Sequence, residues 1–132
     1  MLANTLTLDD ASGDETSYIL ISQDATGTRR VHDIDSLAEP GSLVIKHSVS
    51  GSGPDAVDRH LVQFTRTLNS STGKPRAGIV NLTIAVPRDV VVTSQIIFDL
   101  VANLVDLVSD GGFSGAGFAG TTTLTSLLRG ES

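Results

Sequence analysis

In the stretches between turns before Pro87, apolar side chains in this sequence recur at about every second residue, and beyond Thr93 they recur at every third or fourth. The first period belongs to strands with one buried face, the second to an amphipathic helix. The two signals are segregated along the chain rather than interleaved, which predicts an α+β fold.

Three long strands carry the period of two. Residues 43–50 place Leu43, Ile45, His47 and Val49 on one side and Val44, Lys46, Ser48 and Ser50 on the other. Residues 57–68 set His60, Val62, Phe64 and Leu68 against Arg59, Leu61, Gln63, Thr65 and Thr67, and residues 77–86 set Val80, Leu82, Ile84 and Val86 against Asn81, Thr83 and Ala85. One face is greasy and the other basic, hydroxylic and amide-rich, as expected of an antiparallel meander with one wet face. Upstream, residues 5–8 and 17–22 flank the turn-forming Asp9-Asp10-Ala11-Ser12-Gly13-Asp14 and read as a hairpin within residues 1–23. A short strand near 28–32 opens the sheet, which spans 28–87, and residues 33–41 are a loop. The segment Asn69-Ser70-Ser71-Thr72-Gly73-Lys74-Pro75-Arg76 reads as a polar loop between the last two strands.

The helical period predicts one long and one short C-terminal helix within residues 93–132. In the first, Ile96, Ile97, Leu100, Val101, Leu104, Val105 and Val108 face one way and Asp99, Asn103, Asp106 and Asp110 the other. Thr93 or Ser94 suits its N-cap and Gly111 its C-terminal end. The apolar stripe is wider than one short sheet face demands. Residues 113–120 form a glycine-rich connector, and 122–129 a short helix with Leu124, Leu127 and Leu128 inward. With no internal repeat and no long linker, residues 1–132 read as a single domain.

Composition adds two constraints. Charged residues are 18%, below the roughly 25% of an ordinary globular domain, while hydrophobics are 39%. Such a surface finds its outlet in oligomerisation. The net charge of −6 is unevenly spread: residues 1–40 carry −6, residues 41–92 carry +3 and residues 93–132 carry −3. A basic middle permits a polyanion-binding face, because local potential decides what a face attracts. The chain has no cysteine, which removes disulfides and thiolate chemistry and fits a reducing compartment. No apolar run reaches the roughly 18–20 residues of a membrane span, and Met1-Leu2-Ala3-Asn4 has no signal-peptide character. The expectation is an intracellular domain without a membrane partner.

Chemistry-bearing constellations are scarce. Gly115-Ala116-Gly117-Phe118-Ala119-Gly120 matches a dinucleotide-binding glycine pattern, but a helix precedes it where that motif needs a strand. His47 and His60 share the apolar side of neighbouring strands and read as packed or hydrogen-bonded imidazoles rather than metal ligands; His32 stands apart. Asp9, Asp10 and Asp14 lack calcium-loop spacing, and no serine sits on a nucleophile turn. The sequence therefore predicts no catalytic residues, no metal, no cofactor and no enzymatic activity. What remains is the wet face: Lys46, Ser48, Arg59, Gln63, Thr65, Asn81 and Thr83. It is either simply solvated, or a surface for single-stranded RNA with cations on phosphates and amides on base edges. It carries no aromatic stacking platform.

The order of features resembles the coat proteins of single-stranded RNA bacteriophages, the leviviruses. The resemblance is clearest over residues 42–110. It rests on Asp58-Arg59-His60-Leu61-Val62-Gln63-Phe64-Thr65-Arg66-Thr67, on Asn81-Leu82-Thr83-Ile84-Ala85-Val86-Pro87 running into a helix, and on Thr93-Ser94-Gln95-Ile96-Ile97. It implies an interlocked homodimer whose two sheets join edge to edge into one, with Ile96, Ile97, Leu100, Val101, Leu104 and Val105 packed across the partner. Dimers would then build an icosahedral shell in the bacterial cytoplasm, making the chain a component of the virion. The inner sheet face would meet genomic RNA through Lys46, Ser48, Arg59, Leu61, Gln63, Thr65, Ile79, Asn81 and Thr83, and in many members it also represses translation by binding an RNA hairpin. Thr72, Gly73, Lys74, Pro75 and Arg76 would fall in the loop between dimers. The chain departs from the family at Ala77, where well-studied members carry a stacking tyrosine, so operator recognition would follow different rules. The alternative is a small dimeric β-sheet RNA-binding regulator that forms no shell.

Overall fold

A computed structural model describes residues 2–89 and 91–131; Met1 and Ser132, at the ends of the domain expected over 1–132, and the internal Val90 lie outside them. Six strands come first: β1 (Thr5–Asp9), β2 (Glu15–Gln23), β3 (Gly27–His32), β4 (Gly41–Ser50), β5 (Val57–Asn69) and β6 (Pro75–Pro87). Helix α1 (Ser94–Val108) follows, then two short strands, β7 (Phe113–Ser114) and β8 (Gly117–Phe118), and helix α2 (Thr122–Leu128). The architecture is the α+β arrangement expected from the sequence, with the six strands in sequential order. From β2 to β6 each strand pairs antiparallel with the next.

The chain divides into two compact units. One holds the chain to Thr7 and again from Ser17 to the end of the sheet; the other holds Leu8–Thr16, the tip of the first hairpin, with everything from Val91 onward.

In the sheet unit, register fixes the faces. Leu43 lies opposite Phe64, Ile45 opposite Val62, and His47 opposite His60, and β6 continues each row with Val80, Leu82 and Ile84. Leu43 and Ala56 are buried. Tyr18 packs against His32 and, edge-on, against Phe64, with ring centroids 5.4 and 5.6 Å away. Arg30 is also buried on this side, where its guanidinium donates to Thr28 Oγ1 at 2.6 Å and to the Ala3 carbonyl at 3.1 Å. Much of the apolar face is still open in the single chain: Val49, Leu68 and Val80 are exposed.

The expected loop over residues 69–76 is shorter in the structure. Strand β5 stays paired to Asn69, opposite Pro75, so Pro75 and Arg76 belong to β6 and only residues 70–74 turn. Ser70 closes the turn, accepting from Gly73 N through its carbonyl at 2.8 Å and donating its N–H to the Lys74 carbonyl at 2.9 Å. Proline is tolerated there because it opens an edge strand, where its missing N–H costs no ladder bond. Gly73 takes φ 75°, which the turn requires.

In the second unit, Thr93 caps α1 as expected, its Oγ1 accepting from Ile96 N. The helix ends on Ser109, followed by Asp110 at φ 53°, and the Gly111 N–H donates to the Asp106 carbonyl at 2.9 Å. The left-handed position that usually takes glycine falls to aspartate here, one residue before the expected Gly111. The connector over 113–120 is a small β7–β8 hairpin, with Phe113 and Phe118 edge to face across it. Its Phe118 N–H donates to the Ala11 carbonyl at 3.0 Å, tying it to the first hairpin's tip.

Candidate nucleic-acid interface

The seven wet-face residues singled out from the sequence do share one face. Lys46 lies opposite Leu61, which lies opposite Thr83; Gln63 lies opposite Asn81; Ser48 lies opposite Arg59; Thr65 stands between Ser42 and Ile79. Directly opposed residues in an antiparallel ladder project the same way, so these rows form one surface. Gln63 Nε2 donates to Asn81 Oδ1 at 2.9 Å, which orients both amides, and Arg59 Nε donates to Ser50 Oγ at 3.3 Å.

Register adds a cation that sequence reading missed. Arg29 pairs with Val44, so it joins the Gln63 and Asn81 row and extends the basic surface onto β3. Alternation over the six residues of β3 held the signal, since Arg29 and Val31 are out of phase with the buried Arg30. The strand was too short for its faces to be assigned without its neighbours.

Two concavities mark this surface. One of about 290 Å³ is lined by Asp24, Thr26, Arg29, Lys46 and Gln63 among others; a second of about 450 Å³ runs over Lys46, Ser48, Arg59 and Thr83. The β2–β3 turn at their rim is built by Asp24, whose Oδ1 accepts from Thr26 Oγ1 and N, both at 2.7 Å, and from Gly27 N at 2.9 Å. The Thr26 hydroxyl, followed by these backbone donors, holds the Asp24 carboxyl below its ordinary range. Gly27 lets β3 run against β4 here, because a Cβ would stand 2.1 Å from the Ile45 carbonyl oxygen.

No aromatic ring lies on this face among the described residues. Tyr18 and Phe64 point to the opposite side, and Phe98, Phe113 and Phe118 belong to the second unit. Ala77, opposite Thr67, occupies the wet face. His47 and His60 meet on the other face, with Nδ1 atoms 2.8 Å apart, as one donor and one acceptor. Among the described residues no group of three or more histidine or acidic side chains could hold a metal ion, and no helix is long and apolar enough to cross a membrane.

The residues expected at a dimer contact divide into two stripes of α1. Ile97, Val101 and Val105 are half-buried within the chain, whereas Ile96, Leu100 and Leu104 are exposed, continued by exposed Leu107. In the β5–β6 turn, Thr72, Gly73 and Lys74 are exposed, and Pro75 and Arg76 lie at the start of β6.

No family model and no curated protein matches this sequence. Solved structures do match. The coat protein of bacteriophage EMS014 superposes with a TM-score of 0.72 at 12% identity, covering 99% of this chain and 98% of that one. The chain has the coat-protein fold of RNA phages. A second structure with this coat-protein fold, the virus-like particle of Beihai levi-like virus 21, gives 0.67 at 14% identity over 100% and 97% of the two chains. The virus-like particle of bacteriophage AVE015 gives 0.52 at 14%, over 66% of this chain and 64% of that one.

Proposed function

We propose that this chain is a capsid subunit: a single domain over residues 1–132 that dimerises, assembles into an icosahedral shell and lays its wet sheet face on single-stranded RNA. The observation that carries this reading is the coat-protein fold over the full chain combined with how little of its apolar surface a single copy covers. In α1 no residue is fully buried, and Ile96, Leu100, Leu104 and Leu107 form an exposed stripe. Strand β6 is thirteen residues long and sits at the edge of the sheet. A long, open edge strand that exposes apolar side chains of its own, Ile79 and Val80, is an aggregation hazard unless another strand pairs with it. A second copy supplies that strand, its β6 against this one, and covers the α1 stripe.

The RNA contact rests on Lys46, Arg59 and Arg29 for phosphates and on Gln63 and Asn81 for base edges. The role is structural, with no catalytic step. Repression of translation would use the same face on an RNA hairpin, with amide and cation contacts in place of an aromatic stack. Particles form in the host cytoplasm and the chain ends in the virion.

Negative-stain microscopy of the purified protein, with its 260/280 nm absorbance ratio, tests the reading. Round particles with a nucleic-acid spectrum support it. A discrete dimer of about twice 13.7 kDa that binds RNA without forming particles replaces it with the small RNA-binding regulator.

A further inference from the structure

The β3–β4 loop, residues 33–40, is fastened to β5 at three points. Asp35 Oδ1 accepts from His32 Nδ1 at 2.9 Å and from the Arg66 guanidinium. Glu39 Oε1 accepts the Asn69 N–H at 2.9 Å, and the Pro40 carbonyl accepts the Thr67 N–H at 3.0 Å. The Asp35 and His32 side chains are only 5% and 9% exposed, while the Arg66 side chain that reaches Asp35 is half exposed. Burial raises the Asp35 carboxyl, but its bonds and charge contacts with His32 and Arg66 outweigh this and hold it below the ordinary carboxylate range.

A loop held this way would be expected to carry polar tips. Instead Ile34 is 82% exposed and Leu37 is fully exposed, three residues apart, with the exposed Asp33 beside them. An aliphatic pair on a fastened loop is a preformed contact: little conformational entropy remains to be lost when something covers it.

A surface of opposite charge lies at the β5–β6 hairpin end. Leu68 is 50% exposed there, and Arg76 lies directly opposite it; Val80, 70% exposed on the same face, lies farther along, in mid-strand opposite Phe64. Neither Arg76 nor the nearby Lys74 makes an ion pair among the described residues. One patch is aliphatic and acidic, the other aliphatic and basic. Within one chain they leave each other uncovered, as the exposure of Leu37 demands.

We propose that the 33–40 loop of one copy docks on the β5–β6 hairpin end of a second copy, with Ile34 and Leu37 against Leu68 and with Asp33 facing Lys74 and Arg76. Each chain carries both patches side by side, since the loop is bonded to Thr67 and Asn69 on either side of Leu68, so two copies exchange the contact reciprocally or pass it on head-to-tail. Ile34, Leu37 and Leu68 lie off the β6 edge, so this is a contact between dimers, distinct from the pairing of β6 edges. This inference rests on the capsid reading and names the surfaces that join its building blocks.

The test is reassembly of purified dimers followed by light scattering, with circular dichroism and thermal melting of each variant dimer. Ile34→Ser with Leu37→Ser should raise the assembly threshold at least about ten-fold, from lost aliphatic burial, while leaving the dimer's melting unchanged. Asp33→Lys should raise it too, and adding Lys74→Asp and Arg76→Asp to that chain should restore it. An unchanged threshold in the serine variant, or a charge swap that restores nothing, overturns the docking contact while wild-type particles keep the capsid reading intact. A wild type that never leaves the dimeric state overturns the capsid reading and this contact with it.

Discussion

Asp110 Oδ1 accepts the backbone N–H of Thr123 at 2.9 Å, and its Oδ2 accepts that of Thr122. The residue that follows the end of α1 thus caps the start of α2. Thr121, at the N-cap position of α2, makes no side-chain cap bond of its own. Without Asp110 the first donors of α2 would be unpaired. The same bonds, led by Thr123, hold the Asp110 carboxyl below its ordinary value of 3.8.

Replacing Asp110 therefore separates two effects. Asp110→Asn keeps a tolerable residue at positive φ and an acceptor oxygen, but loses the charge; Asp110→Ala loses both the cap and the conformational tolerance. The alanine variant should melt several degrees below wild type and the asparagine variant less. A depressed carboxyl contributes stability that is fully present above its unfolded value and is lost as pH falls through the folded one. The gap between wild type and Asp110→Asn should accordingly be full above about pH 4 and close below it. Thermal melts from pH 7 down to 2 check this; a gap that persists at the acid end refutes the ionised cap.

The two stripes of α1 call for opposite outcomes from one kind of substitution. Leu100→Asp places a charge on the exposed stripe, and the chain should stay folded while losing its partner. Val101→Asp places it on the half-buried stripe and should cost more than about 2 kcal/mol of stability. Sedimentation and circular dichroism of both variants decide. A Leu100→Asp chain that stays dimeric removes the exposed stripe from the dimer contact.

Much of this molecule was legible because alternation and register obey the same geometry. Residues 43–50, 57–68 and 77–86 carry periods of two, so Lys46 and Thr83, or the partners Gln63 and Asn81, could be placed on one face before any pairing was known. Arg29 escaped because six residues of β3 carry charges on both faces. The extent of β6 back to Pro75 escaped because local turn chemistry, proline beside glycine and lysine, competes with the continuing β5 ladder, and the ladder wins. The split of α1 into two stripes was invisible for another reason. Ile96 and Ile97 have the same hydropathy, and only burial separates them. Contacts far apart in sequence, such as Glu39 with Asn69, leave no periodic trace.

RNA binding through the wet face should be largely electrostatic. Each phosphate contact on a single strand contributes about 0.7 to the dependence of log affinity on log salt. Lys46→Ala with Arg59→Ala should thus flatten the slope by about 1.4, and Arg29→Ala by about 0.7 more, with thermal stability unchanged. Filter binding of an unstructured RNA between low and moderate salt measures this. An unaltered slope in the double variant shows that phosphates do not lie along the Lys46 and Arg59 rows.

Gln63 and Asn81 already satisfy one another, so a base passing over them meets oriented amides but no ring to stack on. Ala77 is the position where a ring can be restored. It is exposed, projects from the wet face opposite Thr67, and lies in an edge strand where an aromatic is well tolerated. A stacked base contributes about 1–3 kcal/mol, so Ala77→Tyr should tighten binding of single-stranded RNA roughly five-fold or more. Duplex RNA should bind as before, because its bases are already stacked. The gain should also persist at high salt, where the contributions of Lys46 and Arg59 fade, which separates stacking from charge. Equal affinities for wild type and Ala77→Tyr at every salt concentration would mean that the strand's bases do not pass over this end of β6.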